Sequence, residues 1–441
     1  MDLHGWDIVT AVDITTVNNV LAKSTSSLMP TFDFENPTMA ISFSGNFGLW
    51  LIQPGGSANR IKMMVPITSG SLSAPQFPQP IDLTGVQPII DMALDIVEAN
   101  AASQSVVFSL KTNSPTPNDQ DGTIYVANPD ASGLLATRDP SGQAASIISQ
   151  WLGEVFVSNA SKISFVFATI ILDPQGMPWL APKATSLSYF ESTDGKTQAL
   201  GIQSLTQASW GASGLATAID PSLLNGQSGY FFAMAPAVFL ENLLLPNVAG
   251  ALKIAPSALQ FNPPPSPAQP ESCSITNTGP ISMGSVRSGA IDYYPQLNSY
   301  SVQIVGSQII TNASGQFDIT GLHDAYVTFD NLSIVMEVGY DSATKSATFN
   351  VVSKSSPSTD EHIPWYEKEI TWIIPVIGLI VNTVMDIVVS VVEDAVTSAV
   401  SSSGQLSINA IPVATAVWTG LNSFSATNVQ LSSAFIIEAS S

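Results

Sequence analysis

The chain is poor in cysteine, in histidine and in cations. Cys273 stands alone among 441 residues, which excludes an intrachain disulfide and a cysteine-based zinc site and leaves it as a small buried hydrophobe. The three histidines, His4, His323 and His362, are far apart and form no HExxH or other paired metal spacing, so each reads as a solvated or hydrogen-bonded side chain. Lys and Arg number 13 against 34 Asp and Glu, a formal net charge of −21, and the cations are scattered singly. Such a surface repels nucleic-acid phosphates. It also offers anionic lipid no basic cluster, so any lipid contact has to be apolar or pocket-like. Catalytic signatures are missing as well. GASGL at Gly211 and GQSGY at Gly226 lack the final glycine of a nucleophile elbow, and no Walker loop or Rossmann fingerprint occurs. The expectation is a protein that is not an enzyme and uses no metal or cofactor.

Charged residues make up only 11% of the chain, where roughly a quarter is usual. Polarity must come from Ser, Thr, Asn and Gln, and with 30 Pro and 29 Gly this suits long strands joined by turns better than a helical bundle. The fold class expected is α+β and strand-rich. The length exceeds one ordinary core and predicts two modules. The start, MDLHGWDIVTAV, has an early Asp2, no basic n-region and no long apolar stretch, so a soluble protein without a Sec signal is expected, cytoplasmic or released by a non-classical route.

Along the chain, GWDIVTAVDITTVNNVLAKS reads as a helix with Trp6, Val9, Val12, Val17, Val20 and Leu21 on a broad face, and Asp13 within that face reads as a paired or rim carboxylate. Strands are predicted in MAISFSGNFGLWLI, RIKMMVPIT, PIIDMALDIVE and SVVFSLKTN, with Arg60 and Lys62 on a solvated strand face. SIISQWLGEVFV has helical spacing, ISFVFATIILD is a nearly continuous apolar strand, and AVFLENLLL is a helix expected to end before Pro246. In PNDQDGTIYVAN, Asp119, Asp121 and Gly122 imitate a calcium loop. Pro117 at the first ligand position and Asn128 at the twelfth make it a polar turn instead. FNPPPSPAQPESC is a polyproline-like connector, which divides the chain into modules 1–262 and 271–441 with the connector at 263–270. Beyond it, AYVTFDNLSIVMEVGYDSATKSATFNVVS is a long antiparallel hairpin, and short strands in LSINAIPVATAVWTG, FSATNVQL and AFIIEA finish the chain.

The most apolar stretch runs over 369–400. Its uncharged part, Ile370 to Met385, is 16 residues, short of the roughly 20 that cross a bilayer core. Lys368 is the only nearby cation, and Asp386 and Glu393 would sit in hydrocarbon, so no transmembrane span is expected. Thr371, Pro375, Gly378, Asn382, Asp386, Ser390, Glu393 and Thr397 recur at steps of three and four, a single stripe of a helix whose remaining circumference is apolar. A helix with so narrow a polar stripe must be nearly enclosed, and a curved sheet is the expected partner. Trp372, Val376, Leu379, Ile380, Val384, Ile387, Val388 and Val391 are the candidates for an apolar groove beside it.

The start HGWDIV, the segment VPITSGSLSAPQFPQPIDLTGVQPIIDMALDI and the apolar helix after IPWYEK together resemble the clostridial P forty-seven family, accessory proteins encoded beside OrfX proteins in neurotoxin and insecticidal toxin clusters. The resemblance runs the length of the chain. It implies a tubular lipid-binding (TULIP) fold, long twisted antiparallel sheets wrapped around long apolar helices. It also implies an apolar lipid or acyl chain as ligand, and sister OrfX-type proteins or a toxin of the same cluster as partners. The chain departs from the family in its poverty of lysine, and no basic pocket for a phosphoinositide headgroup is visible in the sequence. Two alternatives stay open: a pore-forming or membrane-inserting toxin component, and a protein-interaction partner whose core is simply filled.

Overall fold

The computed structural model describes residues 1–224, 229–288, 290–355, 357–364, 373–399, 408–421 and 424–440, with the backbone alone at 373–375 and 392–399. Its strands pair antiparallel except for Thr112–Asn113 beside Thr123–Asn128. A six-stranded sheet runs in the order Ala184–Glu191, Gln198–Leu205, Ile8–Asp13, Tyr230–Met234, Phe435–Ala439, Ala426–Leu431. A second sheet is organised around Ile89–Asn100, which pairs with Arg60–Met64, Thr123–Asn128 and Ser103–Ser109. A third stacks the long strands Gln296–Val305, Gln308–Asp318, Tyr326–Asp341 and Ser346–Lys354.

The N-terminal segment corrects the expectation of one helix. Ile8–Asp13 is a central strand flanked on both sides, and all six residues are buried. A strand covered on both faces loses its alternation, so IVTAV shows no period of two and was free to mimic a helix face. Helix α1, Ile14–Lys23, starts only at Asp13, whose carboxylate takes the Thr16 N–H at 3.1 Å, the Thr16 hydroxyl and the Gly229 N–H at 2.6 Å. Asp13 is thus the paired carboxylate expected and an N-cap. Asn18 then ties α1 to the next sheet by a reciprocal pair of bonds with the Ile52 backbone, 2.8 and 3.2 Å.

Helix α2, Gln143–Ser158, lies where helical spacing placed it, burying Ile147, Ile148, Leu152, Val155 and Phe156. Helix α3, residues 236–251, continues past Pro246 through a wide π turn at Leu240–Leu244. Proline has no N–H to give an i−4 carbonyl, and the wide turn immediately before it accommodates that loss where termination was expected. Helix α4, Ile373–Ala399, falls within the predicted 369–400; residues 369–372 and 400 lie outside the described residues.

The predicted hairpin forms with Asp341 facing Ser346 across its turn. Its inward positions change parity, from Val327 and Phe329 to Leu332, Ile334 and Met336. A bulge explains the change: Asn331 sits at φ 62°, and the register against Gln308–Asp318 shifts between Ala313 and Gly315.

The proline-rich segment does not divide the sheets. Leu259–Asn262 before it pairs with Ser274–Asn277 after it, while Ala416–Trp418, Ala426–Leu431 and Phe435–Ala439 return to the first two sheets. The last strands of the expected 271–441 module therefore complete sheets begun by residues 1–235. Cys273 closes the proline-rich segment, 2% exposed, and burial pushes its thiol up to about 12. Folded protein at pH 8 should resist iodoacetamide and react once unfolded in urea; stoichiometric labelling of the folded chain would contradict this burial.

Among the described residues no helix is long and apolar enough to cross a membrane, and no group of three or more His, Cys, Asp or Glu gathers as for a metal ion.

Candidate binding seam along the C-terminal helix

Fifteen of the 27 residues of helix α4 are Ile, Val, Leu or Met, and the β-branched ones among them favour strands in isolation. Its helicity therefore depends on burial of one long face. Ile377, Ile380, Val381, Val384, Val388 and Val391 form that face, each 5% exposed or less. The helix packs against α3, against Tyr326–Asp341 and Ser346–Lys354 of the third sheet, and against Val286–Ser288 of a separate two-stranded ribbon. Gly378, Asn382, Asp386 and Ser390, the described core of the predicted polar stripe, are exposed. The Thr383 hydroxyl returns a hydrogen bond of 2.8 Å to the Leu379 carbonyl, satisfying it within the helix.

The seven described groove candidates do not share one face. Ile380, Val384, Val388 and Val391 are buried; Val376 and Ile387 are half-buried on the shoulders; Leu379 is 46% exposed. Adjacent helix positions are about 100° apart, so the residue beside buried Ile380 is carried towards solvent. Trp372 and Thr371 lie outside the described residues, as do the side chains of Pro375, Glu393 and Thr397. Among the described residues the helix is thus covered on one side by α3 and the third sheet and open on the other, where near-enclosure was expected.

Roomier hollows lie elsewhere. One of about 660 Å³ is rimmed by Asp2, His4, Leu215 and Pro267 to Ser272, and a polar one of about 490 Å³ lies between Asn59, Asp95, Gln104 and Thr185. A third, about 310 Å³, lies between Asp7, Trp210, Glu241 and Phe261. Beneath α1, by contrast, Phe165, Phe167 and Trp418 leave about 10 Å³ against Val17 and Val20, room for about one water.

One buried polar group was misread from sequence. Arg60, expected in solvent, is 5% exposed, with its Nε 2.6 Å from Asp91 Oδ1 and a terminal nitrogen 2.8 Å from the Thr123 carbonyl. Its guanidinium carbon lies 5.5 Å from the Tyr125 ring centroid, and Tyr125 donates its hydroxyl to Asp91 Oδ2 at 2.9 Å. Burial and then the Asp91 bond push the Tyr125 phenol up to about 12. Asp121 of the false calcium loop pairs with Lys111 at 3.0 Å, and Asp119 lies 3.9 Å from Arg60. Alternation placed Arg60 and Lys62 on one face correctly; what covers that face is set by pairing with residues about 30 and 60 positions later.

The profile of the OrfX-like family, described as Protein OrfX2/OrfX3/P47, matches residues 3–437. Protein P47 of Clostridium botulinum (strain Kyoto / Type A2) is 25% identical over 364 residues, covering 82% of this chain and 84% of the relative. The structure of P47 from Clostridium botulinum A2 superposes with a TM-score of 0.79 at 22% identity, over 100% of this chain and 98% of that one. P47 of Clostridium botulinum E1 gives 0.76 at 20%, over 99% of each.

Proposed function

Because the chain belongs to the OrfX-like family, we propose that it is a non-enzymatic accessory protein of a toxin cluster that binds an apolar ligand, an acyl chain above all, along the α4 seam. The finer fold assigned with this reading is the tubular lipid-binding one, with sheets wrapped around apolar helices. The observation that carries it is the make-up of α4: a buried aliphatic face flanked by half-buried Val376, Met385 and Ile387, with Leu379 on the open side. Aliphatic side chains on the shoulders of a packed helix give an acyl chain something to lie against without a charged headgroup site. The scarcity of cations fits the same picture, because it leaves apolar contact as the source of affinity.

Mass spectrometry of an organic extract, taken from protein purified without detergent, tests this directly. A lipid recovered at about one per chain is the expected result. An extract free of lipid, together with failure to take up a fluorescent fatty acid, would overturn the acyl-chain reading.

A second reading, a protein partner with a filled interior, is favoured by the space beneath α1, where about 10 Å³ remains. Under it the extract is empty, and a sister protein from the same gene neighbourhood co-elutes with the chain.

A further inference from the structure

We propose that the hollow where the GWD segment meets the proline-rich segment is a binding site for a small organic cation, an ammonium group on a compact apolar body. The hollow, about 310 Å³, is at the small end of ligand pockets. It collects residues from four separate elements: Asp7 at the entry to the central strand, Trp210 from the segment after Gln198–Leu205, Val238 and Glu241 from the first turns of α3, and Phe261 and Pro263 at the start of the proline-rich segment. The walls are thus aromatic and aliphatic, and the charges that line the hollow are both negative.

Asp7, Trp210 and the junction between the strand exit and α3 are held in place before any ligand arrives. The Trp210 indole N–H donates to the Gly5 carbonyl at 2.8 Å, which fixes the ring. Gln207 and Asn242 exchange side-chain bonds of 2.9 and 3.0 Å, locking the strand exit to α3. Asp7 is 3% exposed, and its Oδ2 accepts the backbone N–H groups of Thr206, Gln207 and Ala208 at 2.7, 2.8 and 3.0 Å. Those bonds all fall on Oδ2; among the described residues Oδ1 of this buried carboxylate takes none, and Asp7 lines the hollow. No lysine, arginine or histidine among the described residues pairs with Asp7 or Glu241 within 4.0 Å. Glu241, an exposed residue at the rim, has its pKa raised first by the partial loss of water on its side facing the hollow and second by the Asp7 charge, with Lys183 opposing. Two carboxylates lining one hollow, close enough for Glu241 to feel the Asp7 charge, attract a cation, and an aromatic face adds cation–π attraction. An anion or a neutral polar molecule gains neither.

The site does not touch α4 and does not depend on the acyl-chain reading. An ammonium could come from a free amine or from a choline headgroup, so the test has an arm for each. Titration calorimetry of the full chain with benzyltrimethylammonium should give a Kd of roughly 0.1–1 mM. Phenylacetate and benzyl alcohol should give no heat. Glu241→Gln, at an exposed rim position, should leave thermal unfolding unchanged and weaken the cation about tenfold, as expected for removing roughly one pK unit's worth of attraction. Trp210→Leu should weaken it about three- to tenfold. Flotation with phosphatidylcholine but not phosphatidylglycerol vesicles, lost in Glu241→Gln, would assign the headgroup as the source, and calorimetric binding without flotation would assign a free amine. No heat with the cation up to ~10 mM, equal affinity for benzyl alcohol, or an unchanged Kd in Glu241→Gln would overturn the proposal.

Discussion

Asp91→Leu is expected to destabilise the protein by about 3–5 kcal/mol, far more than an ordinary surface substitution. Asp91 and Arg60 are each 5% exposed, and the 2.6 Å contact between them is the one that compensates the guanidinium for its lost water. Without the carboxylate, Arg60 keeps the Thr123 carbonyl and the Tyr125 ring, neither of which carries a charge. Asp119, 3.9 Å away with its side chain 90% exposed, replaces little because solvent screens it. Tyr125 also loses the acceptor for its hydroxyl.

The double variant Arg60→Met, Asp91→Leu should recover most of the loss, because a buried pair replaced by apolar groups of similar volume is close to neutral. Thermal unfolding followed by circular dichroism, run as a four-member cycle, reads the difference. A single variant no less stable than the wild type by ~1 kcal/mol would show that the guanidinium rotates out to solvent and that the pair is incidental.

What was legible in the sequence follows from how local each signal is. The hairpin from Tyr326, helix α2 and the four described positions of the α4 stripe are set by periods of 2 and 3.6 within one segment, and each lies where the pattern placed it. Ile8–Asp13 failed because burial on both faces erases the period. Arg60 failed for a different reason. Its face was read correctly, but the cover over it comes from the turn that supplies the Gln120 and Thr123 carbonyls. The hollow at Asp7 is illegible for the same cause on a larger scale, since its walls come from residues 7, 210, 241 and 261. The proline-rich run was read as a connector between modules because proline stiffens and extends a chain; the strands on either side of it pair with each other. The groove candidates on α4 were limited by another fact: composition shows that a helix is apolar, and only packing shows which of two adjacent aliphatic residues faces inward.

That last distinction gives the second large effect. Ile380→Ala should cost about 2–5 kcal/mol, because Ile380 is fully buried between α4, α3 and the third sheet, and a cavity follows its truncation. Leu379→Ala, one residue away and 46% exposed, should change stability by no more than about 0.5 kcal/mol, alanine being the better helix former. The pair also separates structure from binding. If an acyl chain lies on the open shoulder, Leu379→Ala keeps the melting profile and loses extracted lipid, whereas Ile380→Ala loses both. Equal destabilisation by the two substitutions would mean that Leu379 is covered in the folded protein in solution, and the open side of α4 would then be an interface already occupied.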